Sequence, residues 1–231
     1  MIPLQTVRGH KNCLLCTVVK GRDLRARDEL STLVSKVLDT LSSPCTDSSQ
    51  SISSLLEQEL VLIRSNKGQS GQIGKPIDLG VTCLMAFCVP DAYNVTTLSR
   101  TILEEALLGK MSARYLQRIV PITFVCHSSD LNSQFAPWVT DKINSIKEKK
   151  GSTLVSYRVE YKARLSSKVT RADVMAVVDS CVIPGFFVDL SGPDYTFVVE
   201  IIKNVLFCAV LEDFDRFKRY NLQSLMSQNI S

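Results

Sequence analysis

The chain has 231 residues, of which 45% are hydrophobic and 22% are charged. These proportions exclude wholesale disorder, and the length suffices for one large core or two small ones. The net charge of +4 is too small to indicate nucleic-acid binding by itself. Eight cysteines, and an N-terminus without the apolar core of a signal peptide, favour a reducing compartment, so we expect an intracellular protein.

The first half of the chain predicts alternating strands and helices. An apolar run at residues 14–20 predicts a buried strand, and residues 25–41 place leucines and valines three or four positions apart, which is typical of an amphipathic helix. After polar and glycine-rich segments, a strand is predicted at residues 80–89 and a helix at 94–109. This order of elements favours a small α+β layer of the ferredoxin-like type.

A second unit is predicted from residue 115 onwards. Residues 115–127 predict a strand, and residues 130–150 predict a helix with a bend near Pro137. A start that resembles a capping box opens another helix at residues 170–183. One long strand or a pair of strands follows at 196–211, and a polar tail ends the sequence.

The strand predicted at residues 152–163 carries the most informative charge pattern. Its alternation puts valine and tyrosine on one face and basic side chains on the other, so we expect an apolar face and a basic, solvent-facing one. Residues 147–171 contain eight Lys or Arg against two Glu, whereas the rest of the chain is close to balanced. A basic edge on a rigid sheet is typical of polyanion binding, and we interpret it as an RNA-contacting surface that includes Arg158 and Lys168.

Patterns that would indicate catalysis are incomplete. The glycine-rich segment at 68–75 is not a P-loop, because Gln69 replaces a required glycine and Pro76 stands where Ser or Thr would hold magnesium. Cys13 and Cys16 resemble half a zinc site, and no second such pair follows. Two histidines do not assemble into a Ser-His-Asp or Cys-His set. We therefore expect a chain that is not an enzyme and has no metal site of its own.

The sequence SGPD at residues 191–194 has some likeness to the pyrophosphate loop of ATP-dependent RNA thiolases. Such a loop follows a strand and opens a helix, because the helix N-terminus helps to bind the phosphates. Here an apolar strand is predicted after the loop. We therefore interpret these residues as a structural turn.

Five phrases in the second half of the chain form a set whose order and spacing are informative, between about residues 114 and 225. They are RIVPI at 118–122, YKAR at 161–164, VDLSGPDYT at 188–196, VVEIIK at 198–203 and YNLQ at 220–223, accompanied by Cys126, Ser167, Val169 and Arg171. With this set the chain resembles the THUMP-domain family of eukaryotic tRNA acetyltransferase adaptors. A single phrase would be weak support, but the ordered set is specific.

The resemblance implies an α+β fold in which an N-terminal ferredoxin-like domain precedes a THUMP domain. On this basis we expect the first domain at residues 1–97, the THUMP domain at 98–212 and a C-terminal tail at 213–231. The resemblance also implies a set of tRNA contacts, which are Arg118, Lys162, Arg164, Arg171 and Lys203.

The function implied by the resemblance is that of a non-catalytic adaptor. Such a chain presents serine or leucine tRNA to a separate RNA cytidine acetyltransferase, which makes N4-acetylcytidine with acetyl-CoA and ATP. The expected partners are therefore tRNA and that acetyltransferase, with no cofactor and no membrane contact for this chain. The expected location is the nucleus or nucleolus more than the cytoplasm.

Two alternatives stay open at this point. The chain could be the RNA-binding THUMP module of another tRNA-modifying enzyme, a methyltransferase or a thiolase, that acts with a catalytic partner. It could also be a protein-interaction scaffold whose basic patch is incidental, because exposed Lys and Arg often serve only solubility.

Overall fold

A computed structural model describes residues 12–42, 75–166 and 168–230. Three segments lie outside these residues. The first is a polar connector that the sequence predicts at 42–54, of which only Ser42 is described. The others are residues 55–64, whose pattern does not distinguish helix from strand, and the glycine-rich loop up to residue 74; Ser167 also lies outside. The described residues form a mixed α+β structure with two β-sheets, which confirms the predicted fold class. Within them, no helix is long and apolar enough to cross a membrane.

The first sheet is antiparallel and has four strands in the order β2–β3–β1–β4. These strands are β1 (Cys13–Val18), β2 (Lys75–Val81), β3 (Leu84–Cys88) and β4 (Leu116–Ile122). Two helices accompany the sheet, namely α1 (Asp23–Ser42) after β1 and α2 (Val95–Leu107) after β3. The resulting order of elements is the ferredoxin-like one. The strand predicted at 80–89 is the end of β2 together with β3.

The second sheet has five strands in the order β5–β9–β8–β6–β7. They are β5 (Phe124–His127), β6 (Val155–Arg164), β7 (Phe186–Val188), β8 (Tyr195–Ile202) and β9 (Val205–Leu211). β6 is parallel to both of its neighbours, whereas β8 and β9 form an antiparallel hairpin. The helices of this part are α3 (Ala136–Lys150) and α4 (Arg171–Cys181). β7 was not predicted from the sequence.

The segment predicted as one strand at 115–127 is two strands in different sheets. β4 ends at Ile122 in the first sheet and β5 begins at Phe124 in the second, so the chain changes sheets at Thr123. Pro137 lies in the first turn of α3, directly after a π-helical turn at Leu131–Phe135, so the helix is irregular next to this proline. The predicted bend itself stays a prediction.

The first sheet uses elements on both sides of residue 97, where the sequence predicts a domain boundary. α2 spans that residue, and β4 pairs with β1 although it lies beyond it. The two sheets therefore meet at Thr123, and the boundaries proposed at 97/98 and 212/213 stay a prediction.

A different layer covers each face of the second sheet. One face packs against α3 and α4, through buried residues such as Trp138 and Val174. The other face, which includes Val198 and Phe207, joins the hydrophobic core of the first sheet. Since both faces are covered, every residue of β8 is buried. The two sheets thus share one continuous core.

The segment predicted as a polar tail is built into this core. Tyr220 is 2% exposed and packs between Phe214 and Phe217, with ring centroids 5.8 and 5.7 Å away. The short helix α5 (Leu222–Met226) follows. The amide nitrogen of Gln223 donates to two backbone carbonyl oxygens near the start of β4, both at 2.8 Å. Residues 212–226, here named the C-terminal segment, therefore fasten the second sheet to the first.

Candidate nucleic-acid interface

The seven basic residues predicted to contact RNA fall into two groups. Arg118 and Arg158 are largely buried and form ion pairs. The other five are exposed or half-buried, and they are Lys162, Arg164, Lys168, Arg171 and Lys203. The structure therefore does not display the predicted residues as one continuous exposed row.

Arg118 joins the two sheets. It lies on β4, and its Nη1 donates to Oε1 of Glu200 on β8 at 2.6 Å, while its Nε donates to the carbonyl oxygen of Arg219 at 2.7 Å. Glu200 is 3% exposed, so water screens this pair weakly. Removing one partner of such a pair leaves an uncompensated buried charge. In this structure the Arg118 cation is thus already neutralised from within the fold.

Arg158 was predicted on a solvent-facing side of its strand, but it is 6% exposed. Its Nη2 donates to Oδ1 of Asp215 at 2.6 Å and its Nη1 donates to the carbonyl oxygen of Leu190 at 3.2 Å. Its guanidinium also lies 5.4 Å from the ring centroid of Phe214. The C-terminal segment therefore covers this face, and the predicted exposure is wrong for the first half of β6.

The basic face emerges only where β6 ends. Lys162 and Arg164 are two positions apart, which places them about 7 Å apart on the same face of the strand. Lys168 and Arg171 follow in the loop and at the start of α4. No ion pair links any of these four to a residue that the structure describes. We name Lys162, Arg164, Lys168 and Arg171 the basic edge.

Two buried donors at this edge lack a protein partner within the described part of the chain. They are Nε of Arg164 and Oγ of Ser166. A buried donor without an acceptor costs free energy. Phosphate oxygens are strong acceptors that suit both a guanidinium and a hydroxyl. Both atoms are buried, so a phosphate oxygen would reach them only if these side chains turned outward.

Partial desolvation lowers the pKa of Lys162. Glu200 and Glu160 raise that pKa, and the nearby Arg164 and Arg118 lower it. An anion placed beside this ammonium group would favour its charged form. Lys162 thus stands where binding of a phosphate and protonation of the lysine support each other.

Lys203 lies between the two sheets. It is in the turn between β8 and β9, with a left-handed backbone at φ 58°, and its N–H donates to the carbonyl oxygen of Arg164 at 2.9 Å. Its Nζ crosses over β2 so closely that a Cβ atom at Gly80 would lie 2.8 Å from it. This glycine therefore leaves the room that the lysine side chain occupies.

The residues at 189–194 form the hydrogen-bonded turn that the sequence predicts. Oδ1 of Asp189 accepts the N–H of Ser191 at 2.8 Å. The Asp194 carboxylate accepts the N–H and the hydroxyl of Ser156 on β6, at 2.8 and 2.7 Å. These two bonds lower the pKa of Asp194. A strand, β8, follows the turn, as expected for a structural connection.

The described cysteines considered as metal ligands lie in two different hydrophobic cores. Cys13 and Cys16 are buried in the core of the first sheet and Cys126 in that of the second. A hydrogen bond with Cys88, whose Sγ is 3.1 Å away, and burial raise the pKa of the Cys13 thiol. In residues 12–42, 75–166 and 168–230, no three His, Cys, Asp or Glu side chains form a group that could hold a metal ion.

Residues 139–210 match the THUMP domain family. The match begins in α3 and ends in β9, so it includes the whole basic edge and excludes the C-terminal segment. The chain therefore carries a THUMP domain in its second sheet, preceded by a sheet domain at its N-terminus. THUMP domains are tRNA-binding modules.

Curated relatives share this part of the chain. THUMP domain-containing protein 1 of Bos taurus is 30% identical over 126 residues, which cover 51% of this chain and 32% of the bovine protein. The protein of the same name in Homo sapiens is also 30% identical over 126 residues, covering 51% of this chain and 33% of the human protein. The chain thus spans about a third of the length of these relatives. Their shared name describes a domain and states no reaction.

The likeness of this chain to solved structures is weaker. TrmN from Thermus thermophilus has a TM-score of 0.44 and 15% identity, with 94% of this chain and 53% of that chain covered. A solution structure of the THUMP domain of THUMP domain-containing protein 1 has a TM-score of 0.27 and 29% identity, with 35% and 88% covered.

Proposed function

We propose that the chain binds tRNA through the basic edge, with Lys203 beside it. The supporting observation is that the four cations of the edge form no ion pair with the described residues, whereas Arg118 and Arg158 do. Unpaired surface cations can bind phosphate oxygens and release the counterions of the nucleic acid. The whole edge also lies within the residues that match the THUMP domain.

In this proposal Arg118 and Arg158 do not contact RNA, and they contribute by holding the fold in place. Both guanidinium groups hold parts of the C-terminal segment: Arg118 binds the carbonyl oxygen of Arg219, and Arg158 binds Asp215. They fix the frame on which the basic edge is mounted. We therefore assign them positioning roles, in place of the direct RNA contacts expected from the sequence.

We infer further that the chain is a non-catalytic adaptor, which presents serine or leucine tRNA to a separate RNA cytidine acetyltransferase. The support for this step is the ordered set of family phrases in the sequence. Phosphate contacts would fix the register and orientation of the tRNA, and the partner would gain from a target base held in position. Acetyl-CoA and ATP would belong to the partner, so the adaptor needs no cofactor.

Two measurements on the full chain test these two steps in turn. Fluorescence anisotropy with serine tRNA, at roughly 0.1 M monovalent salt and above, should show binding that weakens linearly in log–log form as salt rises. Formation of N4-acetylcytidine should then require the chain, the acetyltransferase and tRNA together. Absence of tRNA binding would overturn the first step, and acetylation by the chain alone would overturn the second.

A further inference from the structure

The C-terminal segment contains an unusual backbone turn. Lys218, Arg219 and Tyr220 have φ values of 50°, 58° and 63°, and none of them is glycine. Left-handed backbone is unfavourable for residues with a side chain, and three in succession are rarer still. Such a conformation persists only where the surroundings hold it, and it is often found at functional sites.

Contacts on both sides hold this turn. The N–H of Arg219 donates to the carbonyl oxygen of Phe214 at 2.8 Å, and its own carbonyl oxygen accepts Nε of Arg118. The Tyr220 ring is buried among aromatic side chains of the same segment. The Asn221 side chain then caps α5. Because the buried tyrosine fixes one end, the two residues before it are turned outward, and both are exposed.

The two outward residues stand over a cleft between the sheets. This cleft has a volume of about 350 Å³ and is lined by residues from β4, β6, β8 and the C-terminal segment. The charged side chains in its lining are Arg118, Glu160, Lys162, Glu200, Lys218 and Arg219. Four of the six are basic, and Lys162 also belongs to the basic edge.

The charge that the cleft offers to a ligand is positive. Arg118 and Glu200 neutralise each other in their short buried pair. Glu160 lies 3.4 Å from Nη1 of Arg219, in a pair whose arginine side chain is 62% exposed. Exposed pairs of this kind are weak and yield readily to a stronger ligand. Lys162 and Lys218 have no ion pair with the residues described, so an incoming anion meets up to three cations.

We propose that this cleft is a second phosphate-binding site, in which Lys162, Lys218 and Arg219 contact the RNA backbone. It continues the basic edge across the junction of the two sheets and beyond the residues that match the THUMP domain. The inference rests on the proposed tRNA binding and deepens it, because it assigns to the C-terminal segment a part of the same binding surface. Arg219 would exchange Glu160 for a phosphate when RNA binds.

The test removes the two new charges without disturbing the turn. Asparagine tolerates left-handed backbone and is uncharged, so Lys218→Asn with Arg219→Asn keeps the conformation. The bond from Arg118 uses the backbone oxygen of Arg219 and remains. Loss of two phosphate contacts should flatten the slope of log K against log salt by about 1 to 2 and weaken tRNA binding by about 10- to 30-fold at roughly 0.1 M salt.

A matched control removes two exposed charges elsewhere. Lys20→Asn with Arg22→Asn changes the net charge equally, and neither residue lines the cleft. Its salt slope should equal that of the unmodified chain, and its affinity should fall by less than about threefold. If the cleft variant behaves like this control, the second site is overturned.

Further variants separate this failure from failure of the proposed function. Lys168→Gln with Arg171→Gln changes the basic edge and leaves the cleft intact. If this variant loses tRNA affinity and the cleft variant does not, only the proposed second site is overturned. An unmodified chain that binds no tRNA overturns both. Arg219→Lys keeps the charge and should bind within about threefold of the unmodified chain. If the double variant unfolds at a lower temperature than the unmodified chain, the single variant Lys218→Asn replaces it. The salt slope should then flatten by half as much, and an unchanged slope would overturn the proposed site.

Discussion

The cations around β6 divide into a covered group and an uncovered one. Arg118 and Arg158 are held by carboxylates at 2.6 Å and by the C-terminal segment that packs over them. Lys162, Lys168 and Arg171 emerge where that cover ends. All of these residues are basic, yet the first group has its charge neutralised inside the fold and the second faces solvent. The availability of a cation depends on what packs over its strand.

The largest expected effect is on stability and comes from the covered group. Arg118→Ala should lower the free energy of unfolding by about 3–5 kcal/mol, because Glu200 is left buried without a partner. Urea denaturation measures the loss. Arg118→Ala combined with Glu200→Gln should recover part of it, because the buried charge is then gone. A loss below about 1 kcal/mol for the single variant would mean that Arg118 is not a structural residue.

Arg158→Ala should also destabilise the chain, but by less. We expect a loss of about 2 kcal/mol, because two hydrogen bonds are removed while the Asp215 side chain is 45% exposed and can be hydrated. The same denaturation experiment applies. Asp215→Asn is the matched variant, and because it leaves the buried Arg158 cation without a counter-charge it should cost at least as much as Arg158→Ala. Equal stability of Arg158→Ala and the unmodified chain would place this arginine with the uncovered group.

The uncovered group should behave in the opposite way. Lys168→Glu with Arg171→Glu should change the free energy of unfolding by less than about 0.5 kcal/mol, since both side chains are exposed. A glutamate at position 171 even suits the N-terminus of α4. The tRNA affinity of the double variant should fall at least about tenfold, which corresponds to roughly 1.4 kcal/mol of binding free energy. Lys20→Glu with Arg22→Glu serves as the control. If the two double variants bind tRNA with equal affinity, the division into covered and uncovered cations is contradicted.

The smallest effect concerns the turn that anchors the covered half of β6. Asp194→Asn should cost about 1 kcal/mol near pH 7, because the carboxylate accepts two hydrogen bonds from Ser156 but is itself exposed. Since those bonds lower the pKa of Asp194 in the folded state, their contribution is complete above the ordinary aspartate pKa of about 3.9. It is lost as the pH falls through the lowered value.

Denaturation of both proteins across pH measures this dependence. The stability difference between the unmodified chain and Asp194→Asn should be constant around neutral pH and shrink at acidic pH. A difference that grows on acidification would show that the carboxylate is not stabilised by Ser156. Ser156→Ala should reduce this pH dependence only in part, because the hydroxyl donor is lost while the backbone N–H of residue 156 still donates to the carboxylate.

Local sequence patterns were sufficient for the fold class. Regular apolar spacing predicted α1, and the alternation of strands and helices predicted a ferredoxin-like layer, which the sheet order confirms. Alternation in β6 also placed Tyr157 and Val159 in the core correctly. These patterns reflect contacts within one element or between neighbours, and such contacts leave a periodic signature in the sequence.

The position of Arg158 could not be predicted in the same way. Its strand has a polar second face, and the pattern does not tell what packs against that face. The cover comes from Phe214 and Asp215, more than fifty positions later in the chain. Lys218 and Arg219 were missed for a related reason, because the segment had been assigned to a polar tail. The apolar spacing of Phe214, Phe217 and Tyr220 was the available signal for a packed segment.

The continuous core beneath both sheets has a consequence for selectivity. Since β4, β8 and the C-terminal segment share this core and β6 is hydrogen-bonded to β8, the backbone positions that carry the cations are held at fixed separations. A surface of fixed charges measures the separation and curvature of phosphates, and it carries little information about base identity. Recognition by this surface would therefore depend on the three-dimensional shape of the RNA. RNAs of different sequence that fold alike would bind, and an unfolded strand of the same sequence would not.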